Sequence, residues 1–282
     1  VAMQKRLPEY LKRPIIDTEK TKNVRRILKT NCLNTVCENA RCPNKNECYI
    51  SNTATFLIMG NVCTRNCRYC NIDCQKPEPL DLKEPLHIAQ AVKDLGLKYS
   101  VITSVTRDDL PDGGAEHFAQ CIFEIRKLSP DVKIEILTPD FKGDTNALDK
   151  IIKAKPEVFN HNIETVKHLF KTARPQGDYK RSIGVLKYIK ANSKMLTKSG
   201  LMVGLGETLE QIEETLQDLK SAGVDILTIG QYIQPSKAHL EVAKYYTPEE
   251  FHELDKLALN LGFTHRQIGP LVRSSYRAAE LV

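Results

Sequence analysis

Tryptophan is absent from the 282 residues, and aromatic side chains make up only 6% of them. Proteins that hold single-stranded nucleic acid stack its bases on aromatic rings set among basic residues, and no such platform is visible. No apolar run approaches the roughly 20 residues of a membrane-spanning helix. The first residues, Val1-Ala2-Met3-Gln4-Lys5-Arg6, lack the apolar segment of a signal peptide. The expectation is a protein that engages neither nucleic acid nor membrane and is not secreted. Cytoplasm is its default location; because the chain starts at Val1, an organellar protein that has lost an upstream targeting segment is the alternative. No Gly-x-Gly-x-x-Gly follows the first β-rich run and no Walker-type loop occurs, which removes the best signs of a dinucleotide or nucleoside-triphosphate site. Strong charge of either sign is lacking too. The 41 basic against 35 acidic residues give +6, enough to permit an acidic partner without demanding a polyanion. With 41% hydrophobic and 27% charged residues, the chain is ordinary enough to fold around a full core as one or two domains.

Cysteine is what the sequence has in excess. Of nine, eight lie between Cys32 and Cys74, and Cys121 stands apart. Disulfide frameworks belong to small secreted domains that lack a core. An odd number crowded at one end of a long chain fits thiolate metal binding in a reducing compartment better.

Residues 1–52 are polar, cysteine-rich and weakly periodic, and read as an N-terminal extension. From Thr53 the texture changes. Strands are predicted at Thr53–Met59, Tyr99–Val105, Val132–Thr138, Val158–Ile163, Gly200–Leu205 and Asp225–Gly230. Helical spacing runs between them, through Ile88, Val92 and Leu95; Phe118, Ile122 and Ile125; Leu148, Ile151 and Ile152; Ile183, Leu186 and Ile189; and Ile212, Leu216 and Leu219. Six strands alternating with helices imply βαβ units and a parallel sheet. Polar residues collect just after the strands, as in Thr106-Arg107-Asp108-Asp109 and Glu164-Thr165, where the active sites of parallel barrels are built. The fold expected is α/β, a partial (β/α)6 TIM-type barrel over 53–235, with a C-terminal segment at 236–282.

The sharper cysteine cluster is Cys63-Thr64-Arg65-Asn66-Cys67-Arg68-Tyr69-Cys70, with three and then two intervening residues. Three thiolates on one tight loop can hold three corners of a cubane and leave its fourth iron open to another ligand. Cys74 is close enough in sequence to supply a fourth thiolate, which would make a closed zinc site or an electron-transfer cluster instead. The second constellation, Cys37, Cys42 and Cys48, has four and then five intervening residues, the spacing of neither zinc fingers nor ferredoxins. Cys32 is a further candidate ligand there.

The Cys-x3-Cys-x2-Cys loop after the first barrel strand, with Tyr69 before its last cysteine, resembles the signature of radical S-adenosylmethionine (radical SAM) enzymes. Thr35-Val36-Cys37-Glu38-Asn39-Ala40-Arg41-Cys42-Pro43-Asn44 with Cys48, and Arg273-Ser274-Ser275-Tyr276 near the end, resemble the lipoyl synthase family within it. The likeness runs from about Thr35 to Ala278, taking in Thr103 to Gly114 and Asn160-His161-Asn162-Ile163-Glu164-Thr165.

The resemblance implies a radical SAM sulfurtransferase. Cys63, Cys67 and Cys70 would hold a 4Fe-4S cluster whose free iron takes S-adenosylmethionine and whose electron cleaves it to a 5′-deoxyadenosyl radical. Cys37, Cys42 and Cys48 would hold a second, auxiliary 4Fe-4S cluster with a serine as its remaining ligand, assigned to Ser275 with Ser274 as the alternative. The family inserts two sulfur atoms, at C6 and C8 of an octanoyl chain on a carrier lysine, with the auxiliary cluster as sulfur donor. The implied partners are an octanoylated lipoyl domain or glycine-cleavage-type carrier protein, a reductase such as ferredoxin or flavodoxin, and an iron–sulfur carrier that rebuilds the consumed cluster.

Asn162 and Glu164 are candidates for the cofactor's ribose or amino group, Arg174 for its carboxylate by a bidentate fork, and Tyr69 for the adenine pocket. Buried-strand solvation or helix capping, a surface arginine, and space-filling beside the cluster are the respective alternatives. Gly204 and Gly206 suit either a ligand approach or a tight turn, and His161 reads as a satisfied structural histidine. Cys32, Cys74 and Cys121 are extra to the pattern. Lys187, Lys190, Lys194 and Lys198 recur at helical spacing, giving a solvated face or a docking surface for an acidic carrier. The competing functions are a sulfur-inserting enzyme resembling biotin synthase and a zinc-thiolate nucleic-acid-binding protein.

Overall fold

The computed structural model describes residues 6–14, 16 and 18–282. Residues 1–5 of the expected N-terminal extension, including most of the stretch read for a signal peptide, lie outside the described residues. Seven parallel strands form the sheet: β1 (Thr55–Ile58), β2 (Tyr99–Ser104), β3 (Lys133–Leu137), β4 (Val158–Asn160), β5 (Leu196–Val203), β6 (Ile226–Gln231) and β7 (His265–Gly269). Their order in the sheet is their order in the chain. Six long helices follow the strands: α1 (Glu84–Asp94), α2 (Ala115–Leu128), α3 (Thr145–Ala154), α4 (Tyr179–Asn192), α5 (Leu209–Ser221) and α6 (Pro248–Asn260). Among the described residues β7 does not return to β1. The free edge of β1 pairs antiparallel with Asn34–Thr35 instead, so the barrel is partial.

The helices sit where the apolar spacing puts them because each has a start signal and one buried stripe. Thr208 and Gln211 form a reciprocal capping box at α5, Thr247 and Glu250 another at α6, and the Asp178 side chain accepts from the Arg181 amide at α4. Ile88, Val92, Phe118, Ile122, Ile151, Leu186, Ile189, Ile212 and Leu216 are buried against the sheet, while Ile152 and Ile183 are half-buried.

Two differences from expectation have clear causes. β5 begins at Leu196 rather than Gly200, because Thr197, Lys198 and Ser199 are polar in sequence yet buried in the sheet. Lys198 is fully buried and ion-paired with Glu135 at 2.9 Å. The expected lysine face therefore does not exist. α4 ends at Asn192, leaving Lys194 in the turn beyond, and Lys190 is bound to Asp225 at 2.7 Å. The second difference is β7, a seventh strand from within 236–282 that extends the six expected. Its sequence, His265-Arg266-Gln267-Ile268-Gly269, holds one large apolar side chain, too few to announce a strand.

The seam between β1 and β7 is bridged by both chain ends. Asn44 Nδ2 donates to the Leu271 carbonyl at 2.7 Å, the Tyr276 hydroxyl to Glu47 at 2.6 Å, and Arg277 pairs with Glu47 at 2.8 Å.

Candidate functional site

The loop after β1 carries Cys63, Cys67 and Cys70, and its neighbours fix its shape. Arg65, 5% exposed, forks onto Asp108 (Nε at 2.6 Å, Nη2 at 2.9 Å) and reaches Asp140 at 2.8 Å; Asp140 is itself fully buried and also held by Arg181. Thr64 donates through its amide and hydroxyl to the Thr106 carbonyl, and its hydroxyl accepts from the Asp108 amide. The amides of Arg65 and Thr106 donate to Cys63 Sγ at 3.4 and 3.3 Å. The loop is thus clamped to the C-terminal ends of β2 and β3 by groups that the cysteine spacing does not reveal.

Behind it lie the candidates for the organic cofactor. Glu164 holds φ at +71°, the left-handed region that a glutamate occupies only when its surroundings impose it, and its backbone bridges Gly200 and Met202 of β5. Burial pushes its carboxyl up, and Arg174 and Asn162 pull against that. Arg174 is buried, donates to the Asn162 carbonyl at 3.1 Å and lies over the Phe170 ring, while its Nε has no partner. Asn162 donates to Ser274 Oγ at 3.0 Å and leaves Oδ1 unpartnered. Half-buried Tyr69 sits beside Cys67; burial raises the Cys67 thiol, offset by Arg174 and the Tyr69 hydroxyl. His161 corrects its reading as a satisfied side chain. Nδ1 donates to the Thr138 carbonyl at 2.9 Å, but buried Nε2 has no partner. Burial lowers its pKa to about 4, so Nε2 is a bare acceptor at neutral pH. Buried polar atoms on Asn162, His161 and Arg174 are left without partners, which makes these side chains candidates to bind a polar ligand.

Gly204, at φ +104°, answers to its own chain: a Cβ there would meet Gln231 Nε2 at 2.2 Å and the Lys244 carbonyl at 2.5 Å. A Cβ on Gly206 would meet only Ala243, at 3.7 Å.

The second constellation forms on two short helices. Val36–Asn39, capped by the Thr35 hydroxyl, carries Cys37; Lys45–Ile50 carries Cys48; Arg41 at φ +50° turns the chain between them. Cys37, Cys42 and Cys48 line one cavity with Thr55 and Tyr99, at the starts of β1 and β2, and with Arg273 and Ser275. The two serines thus part company: Ser275 lines the cavity, and Ser274 is bonded to Asn162. Burial pushes the Cys37 thiol up to about 12 and Cys48 to about 11, so both thiols keep their protons at neutral pH. Arg273, missed as a functional residue, lies between the sites, close enough to act electrostatically on both Cys42 and Glu164.

Among the described residues, no three His, Cys, Asp or Glu side chains converge on a point that could hold a single ion. Cys74 is exposed and pairs with Cys63 across a two-residue parallel ladder, Cys32 is exposed, and Cys121 is buried inside α2.

Residues 57–219 match the family model of the radical SAM superfamily. Lipoyl synthase of Caldanaerobacter subterraneus subsp. tengcongensis is 52% identical over 277 residues, 98% of this chain and 97% of that protein. Lipoyl synthase of Rubrobacter xylanophilus is 53% identical over 274 residues, 97% and 85% of the respective chains. Crystal structures of methylornithine synthase (TM-score 0.58, 14% identity, 85% of this chain and 73% of that one) and of a maturase of the FeFe-hydrogenase (TM-score 0.59, 12% identity, 87% and 63%) share the fold.

Proposed function

The chain belongs to the lipoyl synthases of the radical SAM superfamily, and on that premise we propose which of its residues carry the chemistry. Cys63, Cys67 and Cys70 hold the 4Fe-4S cluster that serves S-adenosylmethionine. Cys37, Cys42, Cys48 and Ser275 hold the second. When bound, these groups supply one-electron chemistry, hydrogen abstraction and the sulfur that enters C6 and C8 of the octanoyl chain. The observation that carries the second assignment is Ser275 lining the same cavity as three cysteines far from it in sequence. Its oxygen is a hard donor and a weak acid, suited to a ligand that must let go as the site gives up sulfur.

The chain's own groups do the positioning. Arg174 offers its free Nε–H to the cofactor carboxylate, and Asn162 Oδ1 and Glu164 accept from hydroxyl or amino groups. Tyr69 closes the pocket beside Cys67. The Asn162–Ser274 bond and Arg273 support one shared space between the two sites, where an alkyl chain meets both. The substrate is the octanoyl-lysine of a lipoyl domain or glycine-cleavage-type carrier. Anaerobic incubation with S-adenosylmethionine, dithionite and an octanoylated lipoyl-domain peptide should give product heavier by two sulfur atoms less two hydrogens. Deoxyadenosine release beside intact substrate would sink the sulfur-inserting assignment.

A further inference from the structure

The outer surface of the first cysteine loop forms a groove lined by Asn66, Arg68, Pro175, Gln176, Ala238 and His239. We propose that this groove is the docking surface of a small acidic one-electron carrier protein; the proposal rests on the reading that Cys63, Cys67 and Cys70 hold the electron-accepting cluster.

Both walls of the groove are bonded directly to the loop. The Asn66 amide donates to Gln176 at 3.1 Å and the Arg68 amide to the Ala173 carbonyl at 2.9 Å, while the Leu240 amide donates to the Arg68 carbonyl at 3.0 Å. On the far wall, His239 Nε2 donates to the carbonyl of Cys70 at 2.8 Å, and its Nδ1 accepts from Ser236 at 2.9 Å. A protein seated here is separated from a cluster ligand by one side chain and one hydrogen bond.

Charge selects the partner. The three segments that build the groove, 66–70, 171–177 and 236–240, hold Arg68, Lys171, Arg174, Lys237 and His239 and no acidic residue. Arg68, Lys171 and Lys237 are exposed, and none is ion-paired among the described residues; Lys171 donates only to the Gly177 carbonyl, at 2.7 Å. Exposed Glu241 and half-buried Asp178, which accepts from the Arg181 amide at the start of α4, are the carboxylates that directly flank the patch in sequence. Electron-transfer encounters bury small areas and depend on charge for their rate of meeting, which Arg68 in the groove and exposed Lys171 and Lys237 on the segments that carry its lining provide. One electron leaves the carrier and one arrives at the enzyme; no bond forms or breaks at the interface.

The test uses the cluster-loaded enzyme and Lys171→Glu/Lys237→Glu, with flavodoxin hydroquinone as the probe and dithionite as a reductant that needs no docking. The readouts are stopped-flow bleaching of the cluster and lipoyl product. With flavodoxin at low salt the variant should be reduced at least about tenfold more slowly, and added salt should slow the unmodified enzyme while leaving the variant flat. The charge-neutral Lys171→Gln/Lys237→Gln should fall between. With dithionite all three should turn over alike. Equal flavodoxin rates overturn the proposal, and so does a raised KM for the lipoyl carrier under dithionite, which would give the groove to that partner. Absence of dithionite-driven product from the unmodified enzyme overturns the functional reading itself, and the docking surface with it.

Discussion

Replacing Arg65 with methionine keeps the bulk of the side chain and removes its charge from a place with almost no water. Arg65 is 4% exposed at the side chain, Asp140 0% and Asp108 25%, so solvent screens little of what is lost. Three charge-assisted hydrogen bonds disappear, and Asp140 is left with Arg181 as its remaining ion-pair partner. Stripping one partner from a buried pair costs about 3–5 kcal/mol. Because Arg181 remains, the lower end applies: about 3 kcal/mol, or roughly 150-fold in the folding equilibrium. That is a large part of the 5–15 kcal/mol typical of a whole domain. Arg65→Lys should recover part of the loss, since one ammonium cannot span the fork between two carboxylates. Anaerobic urea unfolding of the loaded enzyme measures the cost, and the electron paramagnetic resonance line shape of the first cluster reports whether its loop has lost its register. An Arg65→Met midpoint shift worth less than about 1 kcal/mol, with an unchanged line shape, would refute the clamp.

Ser275→Ala should alter the spectrum of the second cluster and stop sulfur insertion. Ser274→Ala should leave that spectrum intact, lose only the bond to Asn162 at about 1 kcal/mol, and weaken S-adenosylmethionine binding. Lys198→Met should cost about 3 kcal/mol, since Glu135 loses its cation and keeps the Tyr99 hydroxyl and Asn160 amide; Lys198→Met/Glu135→Leu should recover only part of it, because those two donors are then left unpaired, and thermal unfolding decides. His161 sets a pH dependence. Unfolded histidine takes a proton near 6.5 and the folded one only near 4, so this contribution is complete above pH 6.5 and drains away as pH falls towards 4. Stability at pH 5.5 should be about 1 kcal/mol below that at pH 7, and His161→Asn should flatten the difference in urea midpoints.

The cysteine loops were legible because ligand spacing is a local property, readable from a dozen residues. The strands β1 to β4 and β6 were legible for the same reason: each carries its own β-rich run. What escaped was settled by residues distant in sequence. Lys198 continues the helical spacing of Lys187, Lys190 and Lys194, yet Glu135 from β3 makes its burial tolerable, and nothing near Lys198 announces that partner. Arg65 was visible only as a residue between two ligands; Asp108 and Asp140, which give it a role, end different strands. For Ser275, family likeness pointed to a ligand, and the fold separated it from Ser274 by giving one to the cavity and the other to Asn162.

In a sheet whose spatial order equals its chain order, every ladder closes a short loop, and only the seam joins the two ends of the chain. Asn44 to Leu271, Tyr276 and Arg277 to Glu47, and Tyr10 to Tyr246 are between 227 and 236 residues apart. Three of these bonds hold Leu271 to Arg277, and with the Asn162–Ser274 bond, at roughly 0.5–1.5 kcal/mol each, they sum to about 2–6 kcal/mol, at the low end of what global unfolding requires. The segment from Leu271 to Arg277 should therefore open as a unit of its own, its amides exchanging hydrogen ahead of β2 to β5. If the cavity of Cys37, Cys42, Cys48 and Ser275 gives up sulfur as proposed, it can be refilled through that opening while the ladder behind it stays shut.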